Sequence, residues 1–273
     1  MERGAINDVR LCTGACVITD AERYTSVAEA IDPAGVFDFV NRYLEVLFRP
    51  VYRNAGFVAD VRGDGMLAVW TAACPDTELR SRVCRACLDI AGSAADFASG
   101  GLQTRIGAHF GPIALGTVGT SAHYEYRAVG DTVNTSSRLE QLNKELGTRV
   151  LVSRELAAGL DDFLFRDLGE VRLRGKRNEV RVLELMGERE AATPRQVRLA
   201  TEFSAVVAAE QSGRWRDALE RLRDLQASYP RDRPTHLHVK RCEQALLDRG
   251  GFAALADEGW SWRMGAGLRA ASI

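Results

Sequence analysis

No stretch of this 273-residue sequence approaches the roughly 20 consecutive apolar residues that cross a bilayer as a helix. Residues 1–8 also lack the long apolar core of a secretory signal peptide. We therefore expect a soluble, cytoplasmic chain with no membrane segment of its own. Because the sequence starts just before a predicted strand, this expectation is compatible with the chain being the cytosolic part of a longer membrane receptor.

An excess of basic residues is also missing, since 36 Lys and Arg residues stand against 37 Asp and Glu residues. Nucleic acids and anionic membrane surfaces attract proteins through clustered positive charge, so we expect no nucleic-acid partner. Apolar residues make up 46% of the sequence and charged residues 27%, as in an ordinary folded globular protein.

Cysteines are few, and only Cys84 and Cys87 among the six have a spacing typical of metal ligands. No second pair exists to complete a structural zinc site. Both residues lie in a helical apolar stretch, so we interpret them as reduced thiols.

What the sequence does contain is a succession of strand-like and helical segments. Short apolar runs predict strands at residues 11–19, 57–61, 66–70, 102–108, 113–118, 149–152, 163–173 and 180–186. Helical spacing of apolar residues predicts helices at residues 34–54, 77–97 and 132–146. The order indicates an α+β fold with a ferredoxin-like βαββαβ core, its helices on one face of a mainly antiparallel sheet. Residues 109–112 are expected to join two of the strands.

A linker at residues 187–194, with Gly, Pro and several charges, separates this core from a helical region. We predict three parts, which are a main domain at 9–187, a helical extension at 195–249 and an irregular tail at 250–273. The extension contains candidate helices at residues 195–212, 214–228 and 235–249. The segment from Gly213 to Leu219 resembles part of a tetratricopeptide unit, but a single copy cannot form a solenoid.

Two aspartates stand at positions suited to binding metal ions. Asp20 ends a predicted buried strand, and Asp64 lies between Gly63 and Gly65 at the tip of a predicted hairpin. Two carboxylates on adjacent strands can hold a pair of divalent cations for phosphoryl chemistry. The alternative is that Asp20 caps the following helix and Asp64 is an ordinary turn residue.

A second pair of polar residues lies four positions apart on one predicted helix face, at Asn134 and Arg138. An amide and a guanidinium that point the same way suit an anionic ligand with ribose hydroxyls. The backbone around Thr25 and Ser26 could likewise receive phosphates at a helix N-terminus. Solvated polar side chains and capping residues are the alternative interpretation of both segments.

Five segments, in this order, resemble the motifs of class III adenylate and guanylate cyclase catalytic domains. They are VITDAERYT at 17–25, GFVADVRGDGMLAV at 56–69, RIGAHFGP at 105–112, YRAVGDTVNTSSRL at 126–139 and GEVRLRGK at 169–176. The resemblance covers residues 10 to 186 and is nearest to bacterial receptor-type adenylate cyclases. It implies the class III cyclase form of the βαββαβ core.

The resemblance also implies an activity, the conversion of ATP into 3′,5′-cyclic AMP and pyrophosphate. Asp20, Asp64 and the carbonyl of Ala21 would hold two Mg²⁺ or Mn²⁺ ions. Asn134 would orient the ribose, and Arg138 would stabilise charge on the five-coordinate phosphorus. In this family the two sets of residues come from different subunits, so a chain that carries both predicts a homodimer.

Further substrate contacts are implied at Tyr24, Thr25, Gly63 and Lys176. His109 is expected to be a structural residue.

The base-recognition positions depart from the family pattern. Adenylate cyclases typically have Lys where this chain has Asp60, and Asp or Thr where it has Arg127. A carboxylate and a guanidinium could pair with either adenine or guanine, or with each other. We expect ATP, with GTP as the alternative.

Two other interpretations remain open, and a third is excluded. The chain could be a catalytically silent cyclase-fold module that binds nucleotide or dimerises. The helical extension could be a partner-binding unit. A diguanylate cyclase is excluded by the absence of its Gly-Gly-acid-acid-Phe hairpin.

Overall fold

A computed structural model describes residues 9–22, 24, 29, 31–71, 74–97, 103–120, 123–176 and 178–249. Thr25, predicted to contact substrate, and the predicted tail at 250–273 lie outside these residues. The described strands are β1 (Arg10–Ala21), β2 (Phe57–Arg62), β3 (Gly65–Trp70), β4 (Thr104–Thr120), β5 (His123–Val129), β6 (Val150–Ser153), β7 (Phe163–Val171) and β8 (Val180–Glu188). The described helices are α1 (Pro33–Arg53), α2 (Asp76–Asp96), α3 (Asp131–Leu146), α4 (Arg154–Ala157), α5 (Pro194–Gln211), α6 (Trp215–Ser228) and α7 (Arg233–Arg249).

The strands form one eight-stranded sheet in the order β2-β3-β1-β4-β6-β8-β7, with β5 paired to the outer half of β4. The elements β1-α1-β2-β3-α2-β4 form the predicted βαββαβ unit with strand order β2-β3-β1-β4, which confirms the ferredoxin-like core. Every described strand pair is antiparallel except β4 with β6. The mainly antiparallel α+β sheet is therefore as predicted.

Strand β4 differs from the prediction, because residues 109–112 continue a single 17-residue strand instead of joining two strands. Pro112 is tolerated there for a geometric reason. Its carbonyl accepts a hydrogen bond from Thr132 Oγ1 at 2.6 Å, so its main-chain polar groups face away from β1. The missing N–H therefore breaks no bond of the β1–β4 ladder. The true hairpin partner of β4 is β5, a strand that the apolar pattern did not indicate.

The helices occupy both faces of the sheet. Helices α1 and α2 pack over alternate residues of β1, β3 and β4, with Tyr43, Leu47 and Ile90 fully buried. Helix α3 lies on the opposite face, which departs from the expectation of helices on one face only. Gly107 makes this possible, because a Cβ there would lie 2.2 Å from the Ser136 carbonyl oxygen on α3. The lack of a side chain lets α3 approach β4 closely.

The three C-terminal helices pack against the far end of the sheet. Phe203 of α5 and Trp215 of α6 share a buried cluster with Leu139 of α3 and Leu168 of β7. The extension therefore contacts the back of the helix that carries Asn134 and Arg138. The division into domains stays a prediction.

None of the helices in the described ranges is both long enough and apolar enough to cross a membrane.

Candidate active site

Asp20 and Asp64 are brought together by the pairing of β1 with β3. Asp64 stands in the tight turn between β2 and β3, and its Oδ2 accepts a hydrogen bond from the main-chain N–H of Ala21 at 3.2 Å. Gly65 permits this approach, because a Cβ there would lie 2.1 Å from the Thr19 carbonyl oxygen. The Asp64 carboxylate therefore lies at the end of β1 that carries Asp20, close enough for the charge of Asp20 to raise its pKa.

Two residues to which the sequence assigned no role complete this cluster. Arg105 is directly opposite Asp20 in the β1–β4 register, and its Nη2 donates to Asp20 Oδ2. Its Nε lies 3.4 Å from Glu140 Oε1 on α3. Arg105 is thus held between a predicted metal ligand and a buried glutamate. The only sequence signal for a role of Arg105 was its place in the motif at residues 105–112. Its contact with Glu140 joins residues 35 positions apart, which no local pattern indicates.

The charged groups in this cluster shift one another's pKa values. Burial and the neighbouring charge of Asp20 raise the pKa of Asp64, while hydrogen bonds from its own N–H and that of Ala21 oppose the rise. Burial raises the pKa of Glu140 to about 7, with Asp20 adding to the effect and Arg105 opposing it. Three carboxylates against one guanidinium leave an excess of negative charge, which favours a cation.

This donor set fits divalent metal ions. Hard cations such as Mg²⁺ prefer carboxylate oxygens, and one or two carboxylates with substrate phosphates normally hold them. The described part of the chain has no group of three or more His, Cys, Asp or Glu side chains placed around a common metal position. Any metal would therefore depend on Asp20, Asp64 and oxygens of the substrate.

Helix α3 presents the second predicted pair. Asn134 is exposed in the first turns of α3, and Arg138 is partly exposed one turn later. The Arg138 guanidinium lies beside Gly175, where an added Cβ would be 3.4 Å from its Nη2. Lys176 Nζ, from the same β7–β8 connection, donates to Asp131 Oδ2 at 2.8 Å. Arg138 and Lys176 thus form one basic region beside the start of α3.

The two predicted base-recognition residues each make an ion pair within their own strand. Asp60 Oδ2 accepts from Arg62 Nε at 2.8 Å, and Arg127 Nε donates to Glu125 Oε2 at 2.7 Å. The carboxylate of Glu125 has the larger effect on the pKa of Arg127 and raises it. The charge of Asp60 raises it further, so Asp60 and Arg127 interact electrostatically. They lie on β2 and β5, which contact each other.

The remaining predicted residues have separate surroundings. Tyr24 packs against the core cluster under α1 and α2, and Gly63 adopts a left-handed φ of 60° in the Asp64 turn. His109 Nδ1 lies 2.7 Å from Ser153 Oγ, and burial lowers its pKa. Ser153 Oγ also accepts from Leu156 N–H at the start of α4, so His109 braces a helix cap. These contacts fit the structural role expected of His109.

Comparison with known proteins identifies the family of the chain. Residues 14–186 match the model of the adenylate and guanylate cyclase catalytic domain, so the chain belongs to this family. It is 33% identical over 179 residues to Adenylate cyclase 1 of Rhizobium meliloti, covering 63% of this chain and 27% of that protein. It is 26% identical over 260 residues to the terminal-differentiation specific adenylate cyclase of Dictyostelium discoideum, covering 90% of this chain and 12% of that protein. The chain thus spans well under half the length of these relatives.

Solved structures share the fold. The adenylyl cyclase CyaB from P. aeruginosa superposes with a TM-score of 0.59 at 18% identity, covering 68% of this chain and all of that one (100%). The guanylate cyclase domain of RhGC from Catenaria anguillulae, in complex with GTP, superposes with a TM-score of 0.57 at 21% identity, covering 66% and 100%. The fold is therefore common to cyclases named for either nucleotide.

Proposed function

We propose that this chain is a nucleotide cyclase that converts ATP into 3′,5′-cyclic AMP and pyrophosphate in the cytoplasm, where ATP is available. The observation that carries the proposal is the joining of Asp20 and Asp64 at one end of the sheet through the Ala21 N–H. Membership in the cyclase family and the names of the relatives support the same reaction.

Each predicted residue has a task in this reaction. Two bound Mg²⁺ or Mn²⁺ ions would supply the Lewis acidity that acidifies the ribose 3′-hydroxyl and neutralises the triphosphate. Asp20 and Asp64, with the Ala21 carbonyl, would hold these ions. Asn134 orients the ribose, and Arg138 stabilises the charge that develops on the α-phosphorus. The reaction is positioning and electrostatics, as in other phosphoryl transfers.

Lys176 and the turn at Gly63 are proposed to contact the phosphates. Lys176 is paired with Asp131; the Lys176 side chain is 14% exposed and that of Asp131 is 72% exposed, so Asp131 is the partner that can turn away into solvent. Tyr24 and Thr25, which follow β1 in the sequence, are proposed substrate contacts.

We further propose that the site is shared by two copies of this chain. Large apolar side chains are exposed on both faces of the β4–β5 hairpin, with Tyr124 and Tyr126 on one face and Val118 and Val129 on the other. Exposed apolar residues gathered on one element mark an interaction surface, and a second copy would cover this hairpin. In such a dimer Asp20 and Asp64 of one chain meet Asn134 and Arg138 of the other.

Mixing inactive variants tests the shared site. Asp20→Ala and Arg138→Ala should each abolish cyclic product, because each removes a different half of every site. Mixed dimers should recover up to about a quarter to a half of wild-type activity, since one site per heterodimer is intact. Each variant mixed with itself is the control. No recovery in verified heterodimers would exclude sharing.

Base choice rests on Asp60 and Arg127. The carboxylate can accept from the adenine amino group, and the guanidinium can donate to a ring nitrogen. ATP is preferred in this proposal because several relatives are named adenylate cyclases. Product formation from ATP and from GTP, each with Mg²⁺ and with Mn²⁺, tests the choice. A clear preference for GTP would overturn it.

A silent nucleotide-binding module is the second candidate. It is favoured by the local ion pairs that engage Asp60 and Arg127, since each would have to open before the side chain contacts a base. Both pairs are at least partly solvent-exposed, so opening them costs little. Absence of any cyclic product with Mn²⁺, in a dimer that binds nucleotide, would favour this candidate.

A further inference from the structure

We propose that Thr132 and Ser136 are positioning residues whose buried hydroxyls fix the orientation of α3 on the sheet. They thereby set the direction in which Asn134 and Arg138 leave the helix. This inference rests on the proposed function, because it takes Asn134 and Arg138 as the groups that contact the ribose and the α-phosphorus. The two hydroxyls act only through the helix that carries both groups.

Both hydroxyls bond to carbonyl oxygens of the strands beneath α3. Thr132 Oγ1 donates to the Pro112 carbonyl of β4 at 2.6 Å. Ser136 Oγ lies within hydrogen-bonding distance of two carbonyl oxygens, at 2.8 Å from that of Cys16 in β1 and 3.0 Å from that of Thr132. Thr132 and Ser136 are at most 1% exposed, so bulk water does not compete for these bonds. Helix α3 is thus joined to two neighbouring strands by directional contacts.

A third anchor lies near the end of the same helix. Asn143 Nδ2 donates to the Ile106 carbonyl of β4 at 2.9 Å, and Asn143 Oδ1 accepts from Thr148 Oγ1 at 2.9 Å. From Thr132 to Asn143 the helix rises about 16 Å. Apolar contacts have no direction and permit a helix to rotate or slide, whereas hydrogen bonds depend on angle. Bonds at both ends therefore hold α3 in one rotational position.

Asn134 and Arg138 each follow an anchoring hydroxyl by two positions. Two positions correspond to a rotation of about 200° in an α-helix, so anchors on the sheet side direct this pair away from the sheet. Asn134 is exposed and Arg138 is partly exposed, as this relation requires. A rotation of α3 would displace both groups together, and a misplacement of about 1 Å can cost about 100-fold in rate.

The chain contains a matched control for the removal of a buried hydroxyl. Thr135 is 0% exposed in the same helix, but its Oγ1 donates at 2.8 Å to the Asp131 carbonyl within α3. Thr132→Val and Thr135→Val are the same change, and Thr132→Val is the one that breaks a bond between α3 and the sheet. We expect Thr132→Val and Ser136→Ala each to lower kcat about tenfold with KM for ATP changed less than about twofold, because Arg138 acts on charge that develops in the transition state. Thr135→Val should keep wild-type kcat.

Hydrogen exchange of the α3 main-chain amides measures the anchoring without catalysis. In the nucleotide-free full chain, Thr132→Val and Ser136→Ala should speed exchange several-fold in the first turns of α3, because local opening becomes easier. Thr135→Val should exchange as wild type does. Circular dichroism checks that each variant is folded, and Ser136→Ala, which removes one oxygen atom, decides the question if Thr132→Val does not fold.

Placement of Ser136→Ala in a mixed dimer separates positioning from a general loss of stability. When Asp20→Ala and Arg138→Ala chains pair, the one complete site takes its α3 from the Asp20→Ala chain. Ser136→Ala in that chain should lower turnover about tenfold, and in the Arg138→Ala chain less than about twofold. A destabilised fold would lower turnover equally in both placements.

The outcomes separate this inference from the proposed function. Wild-type exchange in both anchor variants, faster exchange with wild-type kcat, or equal losses in the two placements would overturn the positioning role and leave the cyclase reaction intact. Absence of cyclic product from wild type with either nucleotide would instead overturn the proposed function, and the positioning role with it.

Discussion

Arg166 Nη1 donates to Asp232 Oδ1 at 2.8 Å, and this ion pair ties the sheet to the helical extension. The same guanidinium donates from Nε to Glu184 Oε2 at 2.8 Å and lies 5.1 Å from the centre of the Phe203 ring. The Arg166 side chain is only 3% exposed. One buried cation thus connects β7, β8, α5 and the turn before α7.

Replacing this cation should destabilise the whole chain. Arg166→Met leaves two carboxylates in a buried site without a positive partner, so the free energy of unfolding should fall by about 3–5 kcal/mol. Urea denaturation measures the change. Arg221→Met, which breaks exposed pairs on α6, should cost less than about 1 kcal/mol. Equal losses in the two variants would show that the buried pair is not a main connection.

The close contact of α3 with β4 should be intolerant of a side chain at Gly107. In Gly107→Ala, the new Cβ would overlap main-chain atoms of Ser136 and Glu140, so α3 must shift. We expect a loss of about 1–3 kcal/mol in unfolding free energy and a larger loss of cyclase activity. Gly92→Ala on α2 is the control, because a Cβ there meets nothing within 4 Å. It should be neutral or stabilising by about 0.5–1 kcal/mol. Retained activity in Gly107→Ala would contradict the expected shift.

His109 should make the stability of the chain depend on pH. Burial, chiefly, holds its pKa below the 6.5 of the unfolded chain; Lys176 adds to this effect, and Glu155 and Asp131 oppose it. The unfolded state therefore binds more protons than the folded state in the range just below pH 6.5, and stability falls as pH falls. His109→Gln should flatten this part of the profile in urea unfolding at successive pH values. An unchanged slope would assign the dependence to other groups.

The proposed dimer should depend on the exposed face of the β4–β5 hairpin. Tyr126 is 55% exposed, and Tyr126→Asp would place a charge in the covered interface. We expect a folded monomer without cyclase activity, detected by sedimentation velocity. Tyr52 on α1 is exposed to a similar extent, at 58%, so Tyr52→Asp is the matched control and should remain dimeric. A dimeric Tyr126→Asp variant would exclude this surface.

The sequence was informative where the local pattern agrees with the long-range pairing of the strands. The β2–β3 hairpin followed from apolar runs around a Gly-Asp-Gly turn, and α3 followed from helical spacing after Gly130. The connection expected at residues 109–112 was wrong, because glycine and proline usually interrupt strands. Here the neighbouring strand β1 pairs with every residue of that segment, and long-range pairing outweighed the local preference.

The sequence by itself determined the α+β class, the order of the core elements and the candidate residues Asp20, Asp64, Asn134 and Arg138, because each depends on periodicity or on a short motif. Only the tertiary structure decided that α3 lies across the sheet from α1 and α2. It also decided that Arg105 is shared between Asp20 and Glu140. Both depend on contacts between segments far apart in sequence, and such contacts are set by packing and charge compensation rather than by local pattern.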